Sequence, residues 1–148
     1  MLKIVIVFFT LLFFLAGCSA KKNDLLFNDF GNKQDKFDKI QKTNKALIKQ
    51  DGKTTGFITA LYDNDTKYEK FLVGIYAEED LKKLQFLLDG NNALRVEELQ
   101  NNDNRLDKIP LKNRWSRYFE LTFVKSDLNV IKLQIINGKF WNKEMIFF

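Results

Sequence analysis

The sequence of 148 residues contains no histidine, one cysteine and one proline. Without histidine, Ser–His–Asp and Cys–His catalytic groups and histidine-ligated zinc sites are excluded. A single cysteine cannot form a disulfide within the chain, so apolar packing must stabilise the fold even in an oxidising compartment. What remains is the chemistry of carboxylates, lysines and oxygen-ligated metals, or no covalent chemistry at all.

A continuous apolar run lies near the start of the chain. It covers residues 4–17, is interrupted only by Thr10, follows Lys3 and precedes the pair Lys21–Lys22. A helix of that length is about 21 Å long, whereas a bilayer core is about 30 Å thick. The alternative of a buried core helix is disfavoured because the run has no polar face. We therefore predict that residues 1–17 are a signal peptide.

The only thiol lies where this apolar run ends. Leu15-Ala16-Gly17-Cys18 resembles the lipobox of bacterial lipoproteins, in which an apolar residue and two small residues precede cysteine. Small side chains give a peptidase access to the backbone, and a cysteine thiolate is the sulfur nucleophile for taking up a diacylglyceryl group. The resemblance implies cleavage between Gly17 and Cys18 and membrane attachment through lipid on Cys18. A buried structural cysteine is the alternative, and the polar segment that follows argues against it.

The residue after the cysteine bears on the destination of the lipoprotein. Many such proteins that stay in the inner membrane have aspartate there, whereas this chain has Ser19. The resemblance therefore implies the outer membrane, with the leaflet left open. Two or more acyl chains give stable anchoring, whereas a single chain gives marginal binding.

The excess of positive charge lies beside the predicted anchor. Residues 18–53 contain nine Lys and five Asp, while residues 54–148 contain equal numbers of basic and acidic side chains. The excess is typical of a solvated tether, of attraction to anionic headgroups at about 1 kcal/mol per lysine, or of nucleic-acid binding. Export and the interspersed aspartates argue against nucleic acid. We predict a lipidated tether over residues 18–42 and no nucleic-acid partner.

From Asn44 onward the apolar pattern has a period of two, which indicates β-strands. In residues 68–77 one mostly apolar face carries Glu69, Phe71, Val73, Ile75 and Ala77. Asp51-Gly52 and Asn137-Gly138 separate such runs, and both dipeptides suit two-residue type I′ hairpins. About seven or eight strands without a long amphipathic helix predict an all-β domain over residues 43–148, an antiparallel sandwich or barrel. The turn-rich residues 100–113 are predicted to be a surface loop.

A second resemblance concerns the domain itself. The succession FITALYDND, FLVGIY and WSRYFELTF, with a terminal hairpin, is similar to small ε-proteobacterial lipoproteins that have an immunoglobulin-like sandwich. The resemblance covers about residues 46–148 and implies a variant antiparallel immunoglobulin-like sandwich that lacks the inter-sheet cysteine pair. It supplies no catalytic residues. Some members are linked with host-cell adhesion, which implies a binding role.

A cluster of aromatic and basic residues is the candidate binding site. Tyr, Trp and Arg dominate the energetic hot spots of interfaces. Arg114, Trp115, Arg117 and Tyr118 lie in one stretch, and the last hairpin adds Phe140 and Trp141. We predict from this a patch of Arg114, Trp115, Arg117, Tyr118 and Trp141 for a protein or glycan ligand. The alternative is that these rings fill the core of a sandwich without disulfides.

Carboxylate patterns offer weaker candidates. Asp63-Asn64-Asp65-Thr66 opens like a calcium loop, but Lys67 stands at the third ligand position. Acidic residues at 78–80 and 97–98 are enough for a glycosidase pair, which needs two carboxyl groups about 5–10 Å apart. Such clusters at strand ends are usually solvated. We therefore predict no metal, no cofactor and no enzyme.

The sequence as a whole predicts an outer-membrane lipoprotein with a non-catalytic binding role in the cell envelope. Host-cell adhesion is one form of that role. The alternative is a structural or periplasmic accessory lipoprotein that assists envelope assembly and has no host ligand.

Overall fold

The computed structural model describes residue 40, residues 42–110 and residues 112–148. The predicted signal peptide, the lipobox with Gly17 and Cys18, and nearly all of the predicted tether lie outside the described residues. All described residues belong to one compact unit, Asn32–Phe148.

Nine β-strands and one short 3-10 helix form the described part of the chain. The strands are β1 (Thr43–Gln50), β2 (Lys53–Asn64), β3 (Tyr68–Ala77), β4 (Leu84–Leu88), β5 (Asn91–Asn92), β6 (Arg95–Leu99), β7 (Arg117–Val124), β8 (Ile131–Asn137) and β9 (Trp141–Phe147). The 3-10 helix, Asn104–Lys108, lies between β6 and β7. The predicted all-β class is confirmed. The nine strands exceed the seven or eight predicted, and the additional short strand is β5, which has only two residues.

The strands form two antiparallel sheets packed face to face, as predicted for a sandwich. One sheet has the order β1-β2-β3-β7-β6 and the other has the order β5-β4-β8-β9. The chain crosses between the sheets after β3, after β5 and after β7. Because of these crossings, residues that are distant in sequence meet in the core.

The predicted turns agree with the structure in one case and differ in another. Asp51 and Gly52 both have positive φ, 49° and 78°, as the two-residue turn between β1 and β2 requires. At the other site Asn137 belongs to β8 and pairs with Trp141 of β9. The loop there has three residues, 138–140, and only Gly138 among them has positive φ. The Asn-Gly signal therefore located the hairpin but not its loop length.

The main core lies between the two sheets. The predicted apolar face of β3 is confirmed, since Phe71, Val73 and Ile75 are fully buried there. The ring of Phe71 lies 5.1 Å from that of Phe147 in the opposite sheet. Phe86 and Phe119 make a similar contact at 5.3 Å. These aromatic pairs join the two sheets across the core.

A second, smaller core lies on the outer face of the five-stranded sheet. It contains Leu61, Leu72, Leu99, Leu106, Ile109 and Tyr118. Leu106 comes from the 3-10 helix, which folds over the sheet and buries that side chain completely. The predicted loop over 100–113 is thus a cover for apolar residues on the outer face rather than a free surface loop.

The two ends of the sandwich carry different segments. β1 is antiparallel to β2 and begins at Thr43, opposite Leu61 near the end of β2. We call the end from which β1 starts the proximal end; it carries residues 65–67, 89–90, 125–130 and Phe148. The distal end carries the turns at 51–52 and 138–140 and the loops over 78–83 and 100–116.

Candidate functional site

The distal end presents the side chain of Trp115 to solvent. Trp115 lies in the turn before β7 and is 67% exposed. The guanidinium carbon of Arg114, which is also exposed, lies 5.1 Å from the centre of the Trp115 ring. A cation over an indole face is attracted to it even at exposed sites. The pair therefore presents an aromatic surface and a positive charge side by side.

Asn113 determines the shape of this turn. Its Oδ1 accepts hydrogen bonds from the backbone N–H groups of Trp115 at 3.0 Å and of Ser116 at 2.9 Å. Its Nδ2 donates to the hydroxyl of Ser116 at 3.0 Å. Asparagine commonly holds turns in this way. Trp115 is thus exposed on a backbone that local hydrogen bonds hold in place.

The structure separates the five residues of the predicted patch. Arg114 and Trp115 share the surface, and Arg117 is half-buried. Tyr118, only 1% exposed, belongs to the small core on the outer face. Trp141, 7% exposed, belongs to the main core between the sheets. The two buried rings do not join Trp115 in one surface, so the exposed part of the patch is the Arg114–Trp115 pair.

Arg117 is engaged in holding neighbouring segments together. Its Nε and Nη2 donate to the two carboxylate oxygens of Glu98, each at 2.7 Å. Its Nη1 donates to the backbone oxygen of Leu81 at 3.1 Å. The hydrogen bond between the two side chains raises the pKa of Arg117 and lowers the pKa of Glu98. This bidentate pair joins β6 and β7 to the loop before β4.

Most of the carboxylates considered for calcium or glycoside chemistry are engaged in ion pairs. Glu79 instead accepts a hydrogen bond from the Thr55 hydroxyl at 3.0 Å, and its other oxygen is buried without a partner among the described residues. Asp65 pairs with Lys70 at 2.8 Å, and this hydrogen bond lowers the pKa of Asp65 to about 2. Glu97 pairs with Arg105 at 2.7 Å and with Arg95 at 2.6 Å. Within the part of the chain that the structure describes, no group of three or more His, Cys, Asp or Glu is placed to hold a metal ion.

Glu69 is a buried carboxylate at the proximal end. Its side chain is 3% exposed and accepts hydrogen bonds from the Tyr62 hydroxyl and, at 3.1 Å, from the backbone N–H of Ser126. Lys125 pairs with it at 3.3 Å. The period-two pattern had already placed this glutamate on the apolar face of its strand, which is a sequence signal for a buried, hydrogen-bonded carboxylate. Its partners were not predictable, because they come from another strand and from the segment after β7.

The sequence interpretation missed the exposed apolar residues of the proximal end. Val124 is 65% exposed and Leu128 is 61% exposed. The only available signal was an apolar residue within the polar stretch KSDLN, which is weak evidence because isolated exposed leucines are common.

No helix among the described residues combines the length and the hydropathy that crossing a membrane requires. Comparison with protein-family models, with curated proteins and with solved structures finds no match to this chain.

Proposed function

We propose that this protein is an outer-membrane lipoprotein whose sandwich binds a protein or glycan ligand, without catalysis, through the Arg114–Trp115 pair. One observation carries the binding role: a tryptophan that is 67% exposed stands in a hydrogen-bonded turn at the end opposite the start of β1. Exposed tryptophan beside arginine is the composition of interface hot spots. A rigid turn lowers the entropy lost when such a ring is immobilised.

The anchoring part of the proposal is covalent chemistry at Cys18. The sulfur of Cys18 attacks a glyceryl carbon of a phospholipid, a C–S bond forms and the C–O bond to the phosphate headgroup breaks. The thiol proton leaves with the headgroup. A peptidase then adds water across the Gly17–Cys18 amide, and Cys18 becomes the first residue of the mature chain. The sequence Leu15-Ala16-Gly17-Cys18 supports this step.

The non-catalytic part rests on how the carboxylates are used. Three of the acidic residues that an oxygen-based chemistry would use, Glu97, Glu98 and Asp65, are each held by an arginine or a lysine at 2.6 to 2.8 Å. A general acid or base must be free to exchange a proton with a substrate. Charge-assisted pairs of this kind favour a structural use.

The binding role is tested by photocrosslinking in intact cells. A photoreactive amino acid replaces Trp115 in one strain and Leu47, an exposed residue of β1, in a control strain. We expect a discrete crosslinked product from position 115 that is absent from position 47 and lost when Arg114→Ala is added. Identical products from both positions, or none, would contradict the proposal.

The anchor is tested separately by Cys18→Ser. We expect the substituted precursor to stay full-length, to incorporate no labelled palmitate and to leave the membrane fraction. Equal labelling and equal fractionation of both forms would contradict the anchor.

The second candidate is a structural or periplasmic accessory lipoprotein, as the sequence left open. In that case the Arg114–Trp115 pair binds a protein of the cell envelope instead of a host ligand. Protease treatment of intact cells separates the two. Cleavage of the domain supports surface display and adhesion, whereas full protection supports the periplasmic role.

A further inference from the structure

Exposed apolar side chains gather at the proximal end of the sandwich. Val124 and Leu128 line one open cavity of about 340 Å³. Leu128 also lines a second cavity of about 280 Å³ together with Phe148, which is almost fully exposed. The two cavities lie on either side of the segment 125–130 that joins β7 to β8. We call Val124, Leu128 and Phe148 the proximal apolar surface.

The segment that carries Leu128 is held from beneath by the buried carboxylate of Glu69. The backbone N–H of Ser126 donates to Glu69, and the hydroxyl of Ser126 accepts from the backbone N–H of Leu128 at 3.2 Å. Lys125 donates to Glu69 and also to the backbone oxygen of Asp65 at 3.0 Å. These hydrogen bonds hold the backbone of the segment on which Leu128 is exposed.

We propose that the proximal apolar surface inserts into the interfacial layer of the bilayer to which Cys18 anchors the chain. The inference rests on the proposed lipid anchor and names the surface that meets the membrane. Apolar side chains gain by leaving water for the boundary between headgroups and acyl chains. Lys67, which is exposed at the same end, has a long side chain that extends toward anionic headgroups from this surface.

The position of β1 favours a lipid surface over a second copy of the chain as the occupant. The 24 residues from 19 to 42 connect the anchor to Thr43, where β1 begins at the proximal end. Such a segment reaches at most about 80 Å when fully extended. The anchor therefore keeps the proximal end within reach of the membrane at all times, whereas a second copy must arrive by diffusion.

The depth of insertion is limited by charge. Asp127, which is exposed next to Leu128, cannot enter hydrocarbon without a large desolvation cost. The surface therefore stops at headgroup depth. In that orientation the distal end, with Arg114 and Trp115, points away from the membrane toward its ligand.

The test uses the full lipidated chain in vesicles of phosphatidylethanolamine and phosphatidylglycerol. Cys18 is blocked as a thioether, so a cysteine introduced by Leu128→Cys is the only free thiol and is labelled with an environment-sensitive fluorophore. Val124→Cys gives a second position, and Leu47→Cys, from a leucine of similar exposure on β1, is the matched control. We expect blue-shifted emission and quenching by spin-labelled phospholipid at positions 128 and 124, and neither change at position 47.

The outcomes distinguish the failure of this inference from failure of the anchor. If the chain floats with vesicles but positions 124 and 128 are quenched no more than position 47, the surface does not insert and the inference is overturned while the anchor stands. If the chain does not float, the anchor fails and the inference falls with it. The third outcome is a blue-shifted emission that is already present in detergent and is the same in vesicles, together with dimers in sedimentation. This result overturns the inference and indicates self-association through the surface.

Discussion

The hydroxyl oxygen of Tyr118 is bonded twice to the backbone of Asn113. It donates to the carbonyl oxygen at 2.9 Å and accepts from the N–H group at 2.6 Å. Tyr118 is the second residue of β7, so these two hydrogen bonds tie the start of that strand to the turn before it. Its ring packs on Gly74, where an added Cβ would lie 2.8 Å from Tyr118 Cε1. The turn that exposes Trp115 is therefore held by a buried ring.

Tyr118→Phe removes both of these hydrogen bonds and preserves the ring. We expect the free energy of unfolding to fall by about 1–3 kcal/mol, because two backbone groups of Asn113 lose their partner. Urea denaturation measures the change. Tyr76→Phe is the matched control, since the Tyr76 hydroxyl has no hydrogen bond to the described residues. Equal destabilisation by both substitutions would argue against a structural role of the Tyr118–Asn113 bonds.

Truncating the two tryptophans is expected to change the free energy of unfolding by very different amounts. Trp141→Ala empties a large site between the sheets and should cost about 3–5 kcal/mol of unfolding free energy. Trp115→Ala removes an exposed ring and should change that free energy by about 0.5 kcal/mol or less. Chemical denaturation of the two variants under the same conditions checks the difference. A similar loss from both would mean that the Trp115 ring packs on the fold.

Tyr62 makes stability depend on pH in the alkaline range. Burial, and then the hydrogen bond to Glu69, raise the pKa of Tyr62 above its usual value of 10.0. Because the pKa is higher in the folded state, the stabilisation that comes from protonated Tyr62 is complete below pH 10.0. It is lost as pH rises through the pKa of the folded state. We expect the wild-type protein to lose stability above pH 10.0 more steeply than Tyr62→Phe. The loss of stability of Glu69→Gln should be intermediate in steepness, because Tyr62 stays buried after the charge of Glu69 is removed.

Arg105 makes stability depend on pH in the acid range. It pairs with Glu97 at 2.7 Å, Asp103 at 2.8 Å and Glu120 at 3.1 Å. The hydrogen bonds from Arg105 lower the pKa of Asp103 from 3.8 to about 2. A lowered pKa stabilises the fold above pH 3.8, and this stability is lost as pH falls toward about 2.

We therefore expect the urea midpoint of the wild-type protein to drop between about pH 4 and pH 2. Arg105→Gln should show a smaller drop over the same range, because its Asp103 is no longer paired. Arg114→Gln, at an exposed arginine whose described contact is with an aromatic ring, is the control and should follow the wild type. Parallel curves for all three proteins would show that the Arg105 pairs contribute nothing measurable.

Local patterns accounted for most of the strands and for the buried side of β3. The alternation of Phe71, Val73 and Ile75 is a property of neighbouring residues, because successive side chains of a strand point to opposite faces. The same pattern placed Glu69 on the buried face, where the structure has it. Asp51-Gly52 likewise specifies its turn through the φ angles that these two residues tolerate.

The exposed aromatic surface could not be derived in the same way. Trp115, Tyr118 and Trp141 are similar as side chains, yet only the first is at the surface. Their burial depends on what the other strands place over them: the 3-10 helix region covers Tyr118, and the five-stranded sheet covers Trp141. No short stretch of sequence contains that information.

By itself the sequence determined the all-β class and the apolar face of β3, and it singled out Cys18 as the predicted anchor, because each depends on residues that are adjacent in the chain. Only the tertiary structure decided which strands are neighbours, that Arg114 and Trp115 are exposed at the distal end while Tyr118 and Trp141 are buried, and that Val124 and Leu128 share the proximal end. The physical reason is that burial is a collective result of packing between distant segments, whereas strand period and turn geometry are local properties of the backbone.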